Sequence, residues 1–300
     1  MVIKELAMSN PFSKEEAAAV LAQGFLQNRA GGTFSGRILT KNGRLTAEQV
    51  VGLAEAARKF GSGQVSFTTR LNIEILGIPY DKIPAFKEYV AAYGLATGGT
   101  GPKVRPVLSC KGGVCRNGLF DTFGLAEEIT ERFVAGFRDL ILPNKLKIGV
   151  GGCPNNCAKP DLNDVGISGR MKPVLDKEAC QHCPECQVQA VCPASAVTAK
   201  EEAPPVIDEA RCLECGRCVS ACLAGAVTGR LRYEFFLGGR WGRLTSSGRP
   251  LNRSFENRED VLAMVGKVIR FLADQGLKGE RISGVIERIG LAEVEKALSG

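Results

Sequence analysis

The stretches CQHCPECQVQAVCP (180–193) and CLECGRCVSAC (212–222) decide how this chain is organised. The second has the spacing C-x2-C-x2-C-x3-C, in which three closely spaced thiolates wrap one iron–sulfur cube and the fourth leaves for a neighbouring cube. The first holds Cys180, Cys183, Cys186 and Cys192, with five residues instead of three before the last cysteine. That departure is mild if Cys192 serves the other cube. The spacing therefore assigns Cys180, Cys183, Cys186 and Cys222 to one [4Fe–4S] centre, and Cys212, Cys215, Cys218 and Cys192 to a second. A pair of zinc knuckles fits less well, because zinc sites use two pairs across a longer spacer and not triplets. His182, inside the first run, reads as a solvated loop residue.

Working outward, residues 177–226 have a texture of their own. They hold eight cysteines and many turn residues, with little periodicity. They read as a compact inserted two-cluster ferredoxin domain whose metal centres replace much of a core. On both sides the chain is α/β. Ser13 with Glu16 forms a capping box for a helix running to about Gln27, and Thr46 with Gln49 forms another. Behind the second, Val50, Leu53, Ala54, Ala57 and Phe60 recur at helical spacing up to Gly61 and Gly63. Val65, Phe67 and Thr69, then Ile73 and Ile75, alternate as strands. Helices are expected over 83–93, 125–137 and 281–298, with an amphipathic one through Val261, Leu262, Val265, Val268, Ile269 and Leu272. Strand patterns occur at Leu146, Ile148 and Val150, at Val165 and Ile167, and over 231–236.

The chain has 300 residues, 44% of them hydrophobic, which suffices for a sizeable core. The net charge of +7 suits a basic surface or an anionic ligand, but sparse aromatics argue against a platform for nucleic-acid bases. No apolar run approaches the ~20 residues of a membrane span. Charges among the first residues argue against a signal peptide. A cytoplasmic location is expected, where twelve cysteines are not a disulfide framework.

Four cysteines remain. Cys110 and Cys115 have four residues between them, Cys153 and Cys157 three. Two such pairs are compatible with buried thiols or a zinc site, but four thiols also complete one more cubane and leave no cysteine unused. Three stretches then carry a resemblance: LTAEQVVGLAEAARKFGSGQVSFTTRLNIEILGI (45–78), VRPVLSCKGGVCRNG (104–118) and LPNKLKIGVGGCPNNC (142–157), the last the most specific. They resemble the sirohaem-dependent sulfite and nitrite reductases, above all the dissimilatory and anaerobic sulfite reductase branch with an inserted ferredoxin domain.

The resemblance implies an α+β fold of sulfite reductase-like α/β halves. Residues 1–80 would be an N-terminal ferredoxin-like half, and 81–176 with 227–300 a domain binding sirohaem and [4Fe–4S]. It implies that Cys110, Cys115, Cys153 and Cys157 hold a cubane, with Cys157 bridging to sirohaem iron. The family's first pair is usually spaced by one residue more, so the loop here must be tighter. Arg70, Arg105, Lys145 and Lys147 match the cations around the family's substrate. Lys145 and Lys147 alternate across Leu146, which places both on one side of a strand. Arg240 and Arg243, and Arg116, are compositional candidates for the carboxylates of sirohaem.

The expected activity is six-electron reduction of sulfite to sulfide, in which clustered cations bind the anion and stabilise charge on its oxygens. Nitrite suits the same cations. A three-cluster electron-transfer protein without sirohaem is the alternative of a different class. By analogy with two-subunit relatives, a homodimer with shared sites is expected. No nicotinamide or flavin fingerprint is present, so electrons must come from a separate protein.

Overall fold

The structure, a computed structural model, describes residues 12–29, 31–137 and 139–299, and of Lys14 the backbone only. The reading of the first residues as lacking a signal peptide rests partly on residues outside that range. Two units emerge. One comprises the chain through Leu108 with Glu127–Lys147 and Leu272–Arg281; the other comprises Ser109–Ala126, Ile148–Phe271 and the chain from Ile282.

In the first unit the Ser13 capping box is formed, and it opens α1 (Lys14–Ala22). The helix expected to reach Gln27 stops earlier. Gly24, at φ +102°, turns the chain, and β1 (Phe25–Gln27) follows as a strand. After β2 (Thr33–Ile38), the Thr46–Gln49 capping box opens α2 (Ala47–Phe60). Then come β3 (Val65–Phe67), β4 (Ile73–Pro79) and α3 (Ile83–Ala91). The strands form an antiparallel sheet ordered β1-β2-β4-β3. Leu53, Ala56, Ala57 and Phe60 of α2 join Phe25, Phe34, Ile75, Ile78 and Phe86 in one core. Val50, expected on the buried stripe, is 53% exposed because the stripe runs through Gly52 and Leu53. Gly36 is small by necessity: a Cβ there would stand 2.8–3.0 Å from Ile78, Phe25 and Phe86.

The second unit is built on a mainly antiparallel sheet. Its strands are β5 (Leu108–Ser109), β6 (Ile148–Gly151), β7 (Val165–Leu175), β10 (Val227–Leu237) and β11 (Arg249–Phe255), ordered β11-β10-β7-β6-β5. β6 and β7 run parallel, whereas β10 is antiparallel to both of its neighbours. α4 (Thr122–Ile129) starts in this unit and ends in the first, where it continues into a widened π-type turn over Thr130–Ala135, in place of one α-helix to Phe137. α7 (Arg258–Gln275) is the amphipathic helix expected. The single last helix is instead two, α8 (Ile282–Ile289) and α9 (Leu291–Ser299), broken where Gly290 adopts φ +87°.

β7 and β10 pair without a break from Leu237↔Val165 to Val227↔Leu175. The cysteine-rich segment hangs from the open end of that ribbon. It holds α5 (Gln187–Ala190), β8 (Val197–Lys200), β9 (Ala203–Ile207) and α6 (Arg217–Ala221). Its core is Val188, Val197 and Val227, packed against Cys186, Cys192, Cys218 and Cys222. With Leu175, Ile207 and Val219 also packed against it, this is still a small core, of the kind that metal centres commonly supplement. The fold class is α+β with this insert, as expected. Among the described residues no helix is long and apolar enough to cross a membrane.

Candidate functional site

Within the first unit, the candidate cations gather on one segment. Arg70 sits on the tight turn between β3 and β4, where buried Asn72 accepts the Thr40 N–H and Thr40 Oγ1 donates to the Leu71 carbonyl. From that turn its Nε and a terminal nitrogen donate to the Pro106 carbonyl at 3.1 and 2.6 Å. Arg105 donates to the Gly99 carbonyl at 2.6 Å. Its backbone N–H donates to the Leu146 carbonyl at 2.8 Å, and Val104 bridges Leu146 in parallel. Leu146 is fully buried and flanked by half-buried Lys145 and Lys147; it pairs as an isolated bridge, and the regular strand expected to include it begins at Ile148.

A fifth cation was not legible in the sequence. Arg37 on β2 donates to the same Gly99 carbonyl at 3.1 Å. It is held there by Glu74, its partner on β4, through Nε at 2.9 Å and a terminal nitrogen at 2.7 Å. Two guanidinium groups thus share one carbonyl. Burial, and then the neighbouring Arg37 charge, lower the Arg105 pKa to about 10. Its Nε is buried with no hydrogen-bond partner among the described residues. A buried donor in a cationic setting is costly unless an anion answers it.

Within the second unit, Cys110 and Cys115 flank a single tight turn (Gly112–Val114), and the Cys115 N–H donates to the Gly112 carbonyl at 3.3 Å. Fully buried Thr122 braces the turn, accepting from the Gly112 N–H at 2.9 Å and donating to the Cys110 carbonyl at 2.6 Å. A Cβ at Gly118 would collide with the Gly112 carbonyl. These contacts hold the short Cys110–Cys115 loop closed. The Gly152 N–H donates to Cys110 Sγ at 3.2 Å, bringing the second pair alongside. Burial pushes the Cys153 thiol up. The Asn155 N–H opposes that, while Cys110, Cys157 and Cys115 add to it. Four soft sulfurs close enough to feel one another suit an iron cluster better than free thiols. Cys157 is exposed.

In the insert, Cys180, Cys183, Cys186 and Cys222 line one cavity of about 160 Å3, and exposed His182 lines it too. Cys192, Cys212, Cys215 and Cys218 line a tighter one of about 20 Å3. The Cys192 and Cys212 sulfurs accept from the N–H groups of Ala196 at 3.2 Å and Glu214 at 3.4 Å. Burial pushes the Cys212 and Cys218 thiols up. Among the described residues no group of three His, Cys, Asp or Glu could hold a single metal ion. A cubane spreads its ligands over four irons, so it does not ask for that arrangement.

Arg240 closes a hairpin with Ser246 through two backbone hydrogen bonds of 2.8 and 2.9 Å. Gly248 donates to the Asp161 carbonyl at 2.6 Å, which sets this hairpin beside the turn that follows Cys157. There Lys159 lies over the ring of Trp241 at 4.3 Å, a contact the spacing gave no hint of. Arg116 and Arg243 are both exposed.

Residues 100–299 match the family model described as the nitrite and sulphite reductase 4Fe-4S domain, and residues 26–93 match the nitrite/sulfite reductase ferredoxin-like half domain. An uncharacterised protein of Methanocaldococcus jannaschii is 32% identical over 85% of this chain and 87% of its own length. A coenzyme F420-dependent sulfite reductase of the same organism is 29% identical over 89% of this chain but only 42% of its own length. Among solved structures, a dissimilatory sulfite reductase I shares the fold, with a TM-score of 0.72 and 20% identity over 89% of this chain and 69% of that one.

Proposed function

The chain belongs to the nitrite and sulphite reductase family, and on that premise we propose that it reduces sulfite to sulfide by six electrons, using sirohaem and three [4Fe–4S] clusters. The observation that carries the reading is the set of guanidinium groups drawn to the carbonyls of Gly99 and Pro106, with the Arg105 Nε left unanswered. Such a cluster is stable when an anion occupies it. Sulfite is one; a tetrapyrrole carboxylate is another.

The twelve cysteines divide into three sets of four, and each set fits a cubane by its donor chemistry. We assign Cys110, Cys115, Cys153 and Cys157 to the first. Exposed Cys157, open to a further ligand, is the residue that would also hold sirohaem iron. Arg240, Arg243 and Arg116 are the candidates for its carboxylates. Sirohaem held there would supply the redox-active iron for the substrate atom.

The protein's own contribution is binding and charge. Arg70, Arg105 and Arg37 offer fixed forks of donors to the oxygens of an oxyanion. Lys145 and Lys147 can donate protons as oxygen leaves as water, since a lysine pKa shifts readily. Glu74 keeps Arg37 oriented. Two copies complementing one another, a reductant protein and a cytoplasmic location complete the proposal.

Two measurements test it. Tetrapyrrole extraction from protein made in a sirohaem-producing host should recover sirohaem. Its absence would leave a three-cluster electron-transfer protein. Lys145→Ala should lower sulfite turnover about 100-fold, within the range for a lost general acid, while iron content stays unchanged. Wild-type turnover would remove Lys145 from the site. Nitrite is the second reading, because the cations do not distinguish the two anions. Steady-state assays with both decide between them.

A further inference from the structure

β6 accompanies β7 only over Val165–Ser168. Further along β7, the loop between Cys212 and Cys215 takes up the strand edge. The Met171 N–H donates to the Glu214 carbonyl at 2.7 Å, and Met171 bridges Cys215 in parallel. An unpaired edge would otherwise expose its N–H and C=O groups. Gly216 then turns with φ +74° between two side chains: a Cβ there would stand 3.0 Å from Met171 and 3.2 Å from Leu119. Leu119 in turn donates its N–H to the Gly152 carbonyl at 3.0 Å. Gly152 precedes Cys153, and its own N–H donates to Cys110 Sγ. One side-chain contact and one hydrogen bond therefore join the Cys215 loop to the Cys153 loop. Leu223, beside Cys222 in the other cysteine set of the insert, is 92% exposed.

Beside this junction an ion pair ties the Cys212–Cys215 loop to β10. Glu214, between two cysteines and at φ +53°, donates its N–H to Cys212 Sγ and turns its carboxylate to Arg232 on β10. Arg232 Nε donates to it at 2.7 Å, and a terminal nitrogen also contacts it. Both side chains are largely buried, at 28% and 16% exposure, where charges are poorly screened. Arg170 stands opposite Arg232 across the ribbon and is engaged separately by Glu234. Glu214 is therefore the carboxylate that answers the Arg232 charge.

We propose that the Glu214–Arg232 pair holds the Cys192/Cys212/Cys215/Cys218 centre as the exit cluster of the insert and sets its reduction potential. The proposal rests on the three-cubane assignment. In the step concerned one electron leaves this cubane, oxidising it, and reduces the Cys110/Cys115/Cys153/Cys157 cubane. No bond forms or breaks, and a reduced protein carrier replaces the electron. A bare carboxylate inside a cluster loop disfavours adding an electron; Arg232 cancels that charge. Glu214 and Arg232 are thus positioning residues with opposite effects on one centre.

Redox titration of the anaerobically purified holoprotein, followed by electron paramagnetic resonance, tests this without reference to turnover. Arg232→Gln should lower the potential of one cubane and leave the other two unmoved. Glu214→Gln should raise that of the same cubane. Arg232→Lys, which keeps the charge, should stay near wild type, and guards against loss of a cluster in Arg232→Gln. Three unchanged potentials, shifts of the same sign in Arg232→Gln and Glu214→Gln, or a shift in Arg232→Lys as large as in Arg232→Gln would overturn the proposal. A wild-type protein with fewer than three cubane signals would instead overturn the cluster assignment on which it rests.

Discussion

Cys153→Ser should yield a chain with about a third less iron, corresponding to one of the three proposed cubanes, and no measurable sulfite turnover. The reason lies in the company Cys153 keeps. Its thiol is raised by burial and by Cys110, Cys157 and Cys115 together, so it lies within electrostatic reach of all three. A serine oxygen is a hard ligand with a much higher pKa, and leaves three sulfurs for a cube that needs four. The insert keeps its iron, because its eight cysteines line cavities of their own. Iron and acid-labile sulfide per chain, with the resonance signals of the reduced protein, check the outcome. Full iron content in Cys153→Ser would show that these four cysteines do not share a cluster.

Phe86→Ala destabilises the protein by about 3–5 kcal/mol, the range for an aromatic removed from a close-packed core. Phe86 is fully buried, with the rings of Phe25 and Phe60 at 5.9 Å in edge-to-face geometry. Gly36 already fits beneath it with no room for a methyl group. β2 and α3 hold these positions in place on a hydrogen-bonded sheet, so the walls cannot close on the void. Urea unfolding of the two proteins measures the difference. A loss below about 1 kcal/mol would mean that the site collapses around the gap, as the walls of a rigid core do not. Iron content should be unaffected, since the cysteines all lie in the other unit.

Legibility in the sequence followed the range of the interaction. Both capping boxes were readable because three residues of chain contain the whole device, and both are formed. The two cysteine groupings of the insert were readable because closely spaced thiols on one loop come to line one cavity. β1 was hidden because Phe25 and Leu26 continue an apolar run whose helix is stopped by one glycine at positive φ. β7 extends to Leu175, well past Ile167, but Gly166, Gly169, Arg170 and Lys172 break the alternation that betrays a strand. Its length is imposed by β10, pairing residue for residue from afar. Arg37 was hidden for a similar reason. Nothing near it in the chain announces a ligand, and its place depends on Glu74 across the sheet and on Gly99, 62 residues on. The stretches around Arg70, Arg105, Lys145 and Lys147 carry local motifs; the one around Arg37 carries none.

The ribbon of β7 and β10 has a bearing on how such a chain can be altered. Leu175 faces Val227 in register, and the Asp176 N–H donates to the Ala226 carbonyl at 2.8 Å. To the surrounding sheet, the whole cysteine-rich segment is the loop of a hairpin whose stem is already zipped shut. Lengthening a loop between fixed ends adds little closure entropy, so a domain can be spliced in or excised at that point with the two strands still in register. The cut itself would fall at a single rung of hydrogen bonds, and what excision would give up besides is the Met171 and Arg232 contacts of Glu214.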